Sequence, residues 1–227
     1  MTAPRLELDN ATRTYHSDGE EVAALRGVSL RLDAGSVCAL LGRSGCGKTT
    51  LLNLAGAMDF PTSGDVRIDG RSTLAMGDAE LTALRRRTVG FVFQFFQLLP
   101  TLTVLENVEL PLLLSGRTDT SGAALDRLRW VGLEEKARAM PHQLSGGQMQ
   151  RVAIARALVH EPEILIADEP TGNLDTASGE TVLQLIRESA DRFGVAVLMA
   201  THSAEAAAIA DRRVHLRDGQ IVSVEAT

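Results

Sequence analysis

The sequence predicts an α/β fold in which antiparallel strands precede a core built around a parallel sheet, and an α-helical insertion interrupts that core. Three observations carry this reading. The runs SVCALLG at 36–42, ILIAD at 164–168 and VAVLMATH at 195–202 are short, apolar and free of alternation, as strands buried on both faces are. The first is followed by a glycine-rich loop and then by KTTLLNLAGAM at 48–58, where Leu51, Leu52, Ala55 and Met58 recur at helical spacing. Residues 98–144 differ in character, being mainly helical with Pro100, Pro111 and Pro141 as punctuation.

In chain order, LEL at 6–8 and VSLRLDAG at 28–35 alternate as half-buried strands do, and Asp33 to Gly35 reads as a turn. PTSGDVRIDG at 61–70 alternates and closes on Asp69-Gly70, a hairpin signal. Thr103-Val-Leu-Glu106 fits a capping box, so a helix should start there, and helical periodicity continues through GAALDRLRWVGL at 122–133. No internal repeat or long low-complexity segment is present.

Composition narrows the class. At roughly 150 residues per domain, 227 residues make about one and a half domains, enough to bury a sizeable core. An apolar fraction of 44% with 23% charged residues excludes a disordered chain. Stretches without a charge, such as Val195 to Ala200, are far shorter than the roughly 18 residues a membrane span needs. The start, MTAPRLELDN, lacks the basic patch and apolar run of a secretory signal, which predicts a cytosolic location. Two cysteines, Cys38 and Cys46, fit a reducing compartment. The net charge is −6, and of 23 basic residues only Lys48 and Lys136 are lysines. No nucleic acid is expected as a partner, because such binding rests on neutralising phosphates. Arg85, Arg86 and Arg87 read as a solvated helix end.

Gly42-Arg43-Ser44-Gly45-Cys46-Gly47-Lys48-Thr49 fits G-x-x-x-x-G-K-[ST] between a strand and a helix, the pattern of a P-loop NTPase. Backbone N–H groups of such a loop and the helix N-terminus, through Thr50, wrap phosphates. Lys48 would supply a charge at the β- and γ-phosphates, and the Thr49 hydroxyl would ligate Mg²⁺. Cys46 reads as a small loop residue offering its N–H, with a redox-sensitive thiol as the alternative; Cys38 reads as core. Asp168 and Glu169 directly follow the apolar run 164–167, where a first carboxylate would hold Mg²⁺ and a second would orient or deprotonate a water.

Leu144-Ser145-Gly146-Gly147-Gln148, followed by MQRVAIARAL, resembles the signature of ATP-binding cassette (ABC) ATPases, and Ser145 stands 97 residues after Lys48, as in that family. Physically, Ser145 is a plausible N-cap, the glycines allow close backbone approach, and Val152, Ala155 and Val159 form one buried stripe. The resemblance covers nearly the whole chain. It implies a single ABC domain over 1–227: a RecA-like core at about 1–97 and 157–227, with an N-terminal antiparallel β subdomain, and a helical subdomain at about 98–156. It implies that two copies pair head to tail, each ATP lying between the phosphate loop of one and Ser145, Gly146, Gly147 and Gln148 of the other. By the same resemblance Tyr15 stacks on adenine, Gln94 contacts Mg²⁺ and the attacking water, with Gln97 as a rival, Asp175 bridges to the opposite copy, and His202 hydrogen-bonds the γ-phosphate. His16, His142, His160 and His215 have no such role. Met149 and Ser203 depart from the commoner pattern without touching hydrolysis.

The run 90–114 and ADEPTGNLD at 167–175 resemble the subfamily of lipoprotein-releasing, macrolide-exporter and cell-division ATPases. That implies an integral membrane permease as partner, a peripheral position on the inner face of the cell membrane, and export of an amphiphilic or lipidic substrate. The alternative is signalling through a membrane partner to an envelope enzyme. A cassette acting on DNA or ribosomes is expected to carry two cassettes or a long coiled coil, and neither is present. Phe95, Phe96, Leu98 and Leu99 would lie near the groove for the permease's cytoplasmic helix, or else in the core.

Overall fold

The computed structural model describes residues 4–17 and 20–226, Ser17 by its backbone alone; residues 1–3 of the amino-terminal stretch read above lie outside it. Two sheets organise the chain. Strands β1 (Leu6–Ser17), β2 (Glu20–Leu32), β4 (Ser63–Ile68) and β5 (Arg71–Ser72) form an antiparallel sheet in the order β2-β1-β4-β5. Strands β3 (Val37–Leu41), β6 (Val89–Phe93), β7 (Ile164–Asp168), β8 (Ala196–Thr201), β9 (Arg212–Arg217) and β10 (Gln220–Ala226) form the second, in the order β10-β9-β3-β8-β7-β6. All its pairs are parallel except β9 with β10.

The parallel strands are apolar throughout because both their faces are covered. Side chains of a strand alternate between faces, and the core divides accordingly. Cys38, Leu40, Ile164, Ile166, Leu198 and Ala200 pack against helix α1 (Lys48–Ala55) and the apolar face of the antiparallel sheet, including Leu6, Leu8 and Val66. Val37, Ala39, Leu165, Ala167, Val197 and Met199 pack on the other side with helices α3 (Val104–Leu114), α4 (Ser121–Trp130), α5 (Gly146–Leu158), α6 (Thr176–Phe193) and α7 (Ala204–Ala208). Burial of the thiol among apolar neighbours pushes Cys38 up to about 11.

Local signals behave as their chemistry dictates. Asp69 and Gly70 both have positive φ, 48° and 73°, the left-handed pair that closes a two-residue hairpin between Ile68 and Arg71. Thr103 caps α3: its hydroxyl accepts from the Glu106 N–H at 3.2 Å while the Glu106 carboxylate accepts from the Thr103 N–H at 2.7 Å. The Thr103 N–H and its hydroxyl, the latter also at 2.7 Å, both donate to the Glu106 carboxylate and hold that carboxyl below its ordinary range. Arg85, Arg86 and Arg87 form the last turn of α2 (Asp78–Thr88), with Arg86 and Arg87 exposed. Helix α1 ends earlier than its periodicity predicts. Ala57 turns left-handed at φ 53°, and Met58 lies outside the helix, 55% exposed. Among the described residues no helix is long and apolar enough to cross a membrane.

Candidate active site

The loop between β3 and α1 is built by close backbone approach. A Cβ on Gly47, whose φ is 106°, would stand 2.5 Å from the Ala24 carbonyl oxygen, and one on Gly42 would stand 2.4 Å from that of Leu216. The loop is held from the far side by the turn between β9 and β10, where the Gly219 N–H donates to the Cys46 carbonyl at 3.0 Å and its carbonyl accepts from Arg26 N–H at 2.8 Å. Lys48 folds back over the loop, its Nζ donating to the carbonyls of Gly42 at 2.7 Å and Arg43 at 3.3 Å. Cys46 is buried in the core, so its thiol faces inward.

The carboxyl ends of β6, β7 and β8 bring the remaining groups to this loop. Thr49 donates from Oγ1 to Asp168 Oδ2 at 3.1 Å. Burial pushes the Asp168 carboxyl up, and the neighbouring Glu169 charge adds to this, against the opposing pull of Thr49 and Lys48. Glu169 sits at φ 47°, with its N–H donating to the Ala200 carbonyl at 2.9 Å. That uncommon backbone turns its carboxylate toward His202: Oε2 lies 2.9 Å from Nδ1 and 3.3 Å from the His202 N–H. Glu169 is mostly buried and His202 is 72% exposed, so the imidazole is the outer member of the pair. Gln94 follows β6; its carbonyl accepts from Asn173 Nδ2 at 3.2 Å.

These groups line a cavity of about 890 Å³, within the size range of small-molecule sites. Gly42, Arg43, Ser44, Gly45, Gly47, Lys48, Thr49, Thr50, Gln94, Asp168, Glu169 and His202 all contribute to it. Thr49, Asp168 and Gln94 offer only oxygen and amide groups, and Asp168 is a carboxylate disfavoured by burial that a cation would stabilise. Among the described residues no cluster of three or more His, Cys, Asp or Glu side chains could hold a metal by itself. Such a sparse donor set fits Mg²⁺, which keeps several waters and takes further oxygens from a substrate's phosphates.

Other residues singled out by the sequence stand apart. Tyr15 does not line the cavity. Its hydroxyl donates to Asp59 Oδ2 at 2.8 Å and the Arg13 guanidinium lies 4.6 Å from its ring centroid, although Val22, opposite it in register, does line the cavity. Ser145 caps α5, accepting from the Gln148 N–H at 3.3 Å while its own N–H donates to Gln148 Oε1 at 3.0 Å. Gly147 is buried where a Cβ would stand 2.5 Å from Ser178 Oγ, so this glycine lets α5 and α6 approach within one chain. None of Ser145, Gly146, Gly147 and Gln148 lines the cavity. Asp175 caps α6 through the Ser178 N–H at 3.0 Å, a bond that holds its carboxyl below the usual range, and it borders a second recess shared with Glu169 and His202. Met149 packs against the core and Ser203 caps α7. Sequence reasoning missed Arg26, Asp218 and Gly219, which also line the cavity; the Asp218-Gly219 pair carried the same hairpin signal as Asp69-Gly70.

A phosphate-loop cavity facing a carboxylate pair, on a parallel sheet with a separate antiparallel sheet and helical layer, defines a class. Residues 25–172 match the family model described as ABC transporter. The chain belongs to the ABC transporter family and is an ABC-type ATPase, an ATP-binding subunit of the LolD and MacB type. It is 46% identical to an uncharacterized ABC transporter ATP-binding protein, MJ0796, of Methanocaldococcus jannaschii, over 95% of this chain and 94% of that one. It is 43% identical to the lipoprotein-releasing system ATP-binding protein LolD of Syntrophus aciditrophicus, over 96% of this chain and 99% of that one. It is 45% identical to the macrolide export ATP-binding/permease protein MacB of Syntrophobacter fumaroxidans, where 95% of this chain spans 31% of a longer protein. A solved dimer of the MJ0796 cassette, a post-hydrolysis state bound to ADP and Pi, matches with a TM-score of 0.90 at 43% identity, covering 97% of this chain and 98% of that one.

Proposed function

We propose that the chain hydrolyses ATP as a head-to-tail homodimer and drives export or extraction of an amphiphilic or lipidic substrate through a separate membrane permease, from the cytoplasmic face of the membrane. One observation carries the reading: the phosphate loop, Asp168, Glu169, Gln94 and His202 share one cavity, while the residues of the signature lie outside it. A single chain then holds half of each of two sites, and a second copy completes both.

In this reading the loop N–H groups and Lys48 hold the β- and γ-phosphates. Thr49, Gln94 and Asp168 would hold Mg²⁺, which when bound would supply positive charge beside the phosphate oxygens. Glu169 orients a water and takes its proton as the water oxygen bonds to the γ-phosphorus and the bond to the β-phosphate oxygen breaks. With Nδ1–H donated to Glu169, His202 would reach the γ-phosphate through Nε2, which donates when the ring carries both protons. Tyr15 supports the adenine edge, and Asp175 links the copies. A groove of about 310 Å³ lined by Phe91, Phe93, Leu110, Pro111 and Leu114, and also by Arg85, Arg86, Arg156 and His160, suits an amphipathic helix of the permease.

Glu169→Gln tests the central assignment. The variant should bind ATP as the wild type does, lose about 10²–10⁴-fold in turnover, and accumulate as a nucleotide-bound dimer by sedimentation. Wild-type turnover, or a monomer at saturating ATP, would overturn the role of Glu169.

A further inference from the structure

Gln150 is a polar side chain with no contact to solvent, fully buried on α5 four residues after Gly146. A buried amide is retained at a penalty unless it is hydrogen-bonded. Its Nε2 donates to two backbone carbonyls, Phe93 at 3.2 Å and Pro170 at 2.6 Å. Phe93 immediately precedes Gln94, and Pro170 immediately follows Glu169. The opposite atom, Oε1, is buried without a partner. The amide orientation follows from this setting: turned over, an oxygen would face two carbonyl oxygens.

The position of this bridge in the fold gives it a task. Strands β6 and β7 run side by side up to the pair Phe93 and Asp168, the last rung of their ladder. Beyond it lie Gln94 and Glu169, and Glu169 has turned into the left-handed region toward β8. The Gln150 amide joins the two segments where sheet hydrogen bonding has stopped. The same helix grips the chain again beyond Gln94, where the half-buried Arg156 donates to the carbonyls of Gln97 at 2.6 Å and Phe96 at 2.9 Å. Phe96 and Gln97 are consecutive left-handed residues, φ 59° and 51°, a conformation that needs such external support. Helix α5 starts at Gly146 under the Ser145 cap, so one element connects the signature with both groups placed around the attacking water.

We propose that Gln150 is a positioning residue for hydrolysis, fixing Gln94 and Glu169 relative to each other and to the signature helix. The inference rests on the roles given above to Glu169 and Gln94. Gln150→Met keeps length and volume but removes both donors. It should lower kcat about 10- to 100-fold, the scale on which small misplacements of catalytic groups act, while KM for ATP and the affinity for ADP stay within about twofold of wild type. A kcat within about twofold of wild type, or a KM that rises as kcat falls, overturns the proposal.

Its connection to Glu169 is tested by the double variant. Placed in Glu169→Gln, Gln150→Met should lower the residual rate by clearly less than it lowers the wild-type kcat, because one of the two groups it positions is already gone. A further loss equal to that of Gln150→Met alone means that Gln150 acts elsewhere and overturns the proposal. If Glu169→Gln alone turns over normally, the role of Glu169 fails and Gln150 is judged on its split between kcat and KM. Should Gln150→Met not fold, Gln150→Glu serves. Its buried carboxyl donates one bond when protonated and none when ionised, so its kcat relative to wild type should rise as pH falls; a ratio flat with pH overturns the proposal.

Discussion

Lys48 is one of two lysines in the chain, and it is the one in the cavity; Lys136 lies exposed in a short turn of the helical layer. With net charge −6, the proposed nucleotide site would rely on aimed N–H groups and this ammonium, which lies against two loop carbonyls. Lys48→Ala should therefore weaken ATP binding by at least about tenfold, since charge-assisted bonds contribute ~1.5–3 kcal/mol each. Titration calorimetry with ATP reads this directly, and an unchanged affinity would contradict the phosphate-loop assignment. At this scale the sequence was legible wherever chemistry is contiguous: Gly42 to Thr49 and Asp168-Glu169 are neighbours along the chain before they are neighbours in space. Gln150, Asn173 and Arg26 were not legible, because each acquires its partners only through contacts 20 to 193 residues away.

Elements were legible where a local rule sets them. The capping box of α3, the hairpin at Asp69-Gly70 and the apolar runs that became β3, β7 and β8 all depend on nearest neighbours. Thr103→Ala should lower stability by ~1 kcal/mol, measured by urea unfolding, and leave ATP affinity unaltered; an unchanged midpoint would contradict the cap. The Glu106 carboxyl adds a pH signature. Its pKa is lowered in the folded chain, so its contribution is present above the unfolded carboxylate value of about 4.3 and is lost as pH falls through the folded one. Strand β9 was harder to read because its place beside β3 joins segments about 170 residues apart, a pairing that no local pattern specifies. Helix α6 obeys local rules as well: Val182, Leu183, Leu185, Ile186 and Ala190 are buried on one side, and Asp175 and the left-handed Gly194 cap its ends.

At the scale of the whole molecule, the signature and the cavity stand apart within one chain. Ser145 to Gln148 form a capped helix start on a surface separate from the cavity, and the matched MJ0796 cassette is a dimer with ADP and Pi. The fold class and the cavity could be read from sequence, but the sharing of one site between two copies rested on resemblance alone, since no intrachain pattern encodes where a second chain sits. The most direct test mixes two inactive variants, Lys48→Ala and Ser145→Arg, and measures ATP hydrolysis. In a head-to-tail dimer of one copy of each, one site carries both lesions and the other carries neither. Exchange between equal amounts should restore up to about a quarter of wild-type turnover. A mixture no more active than either variant alone would contradict a site shared between two copies.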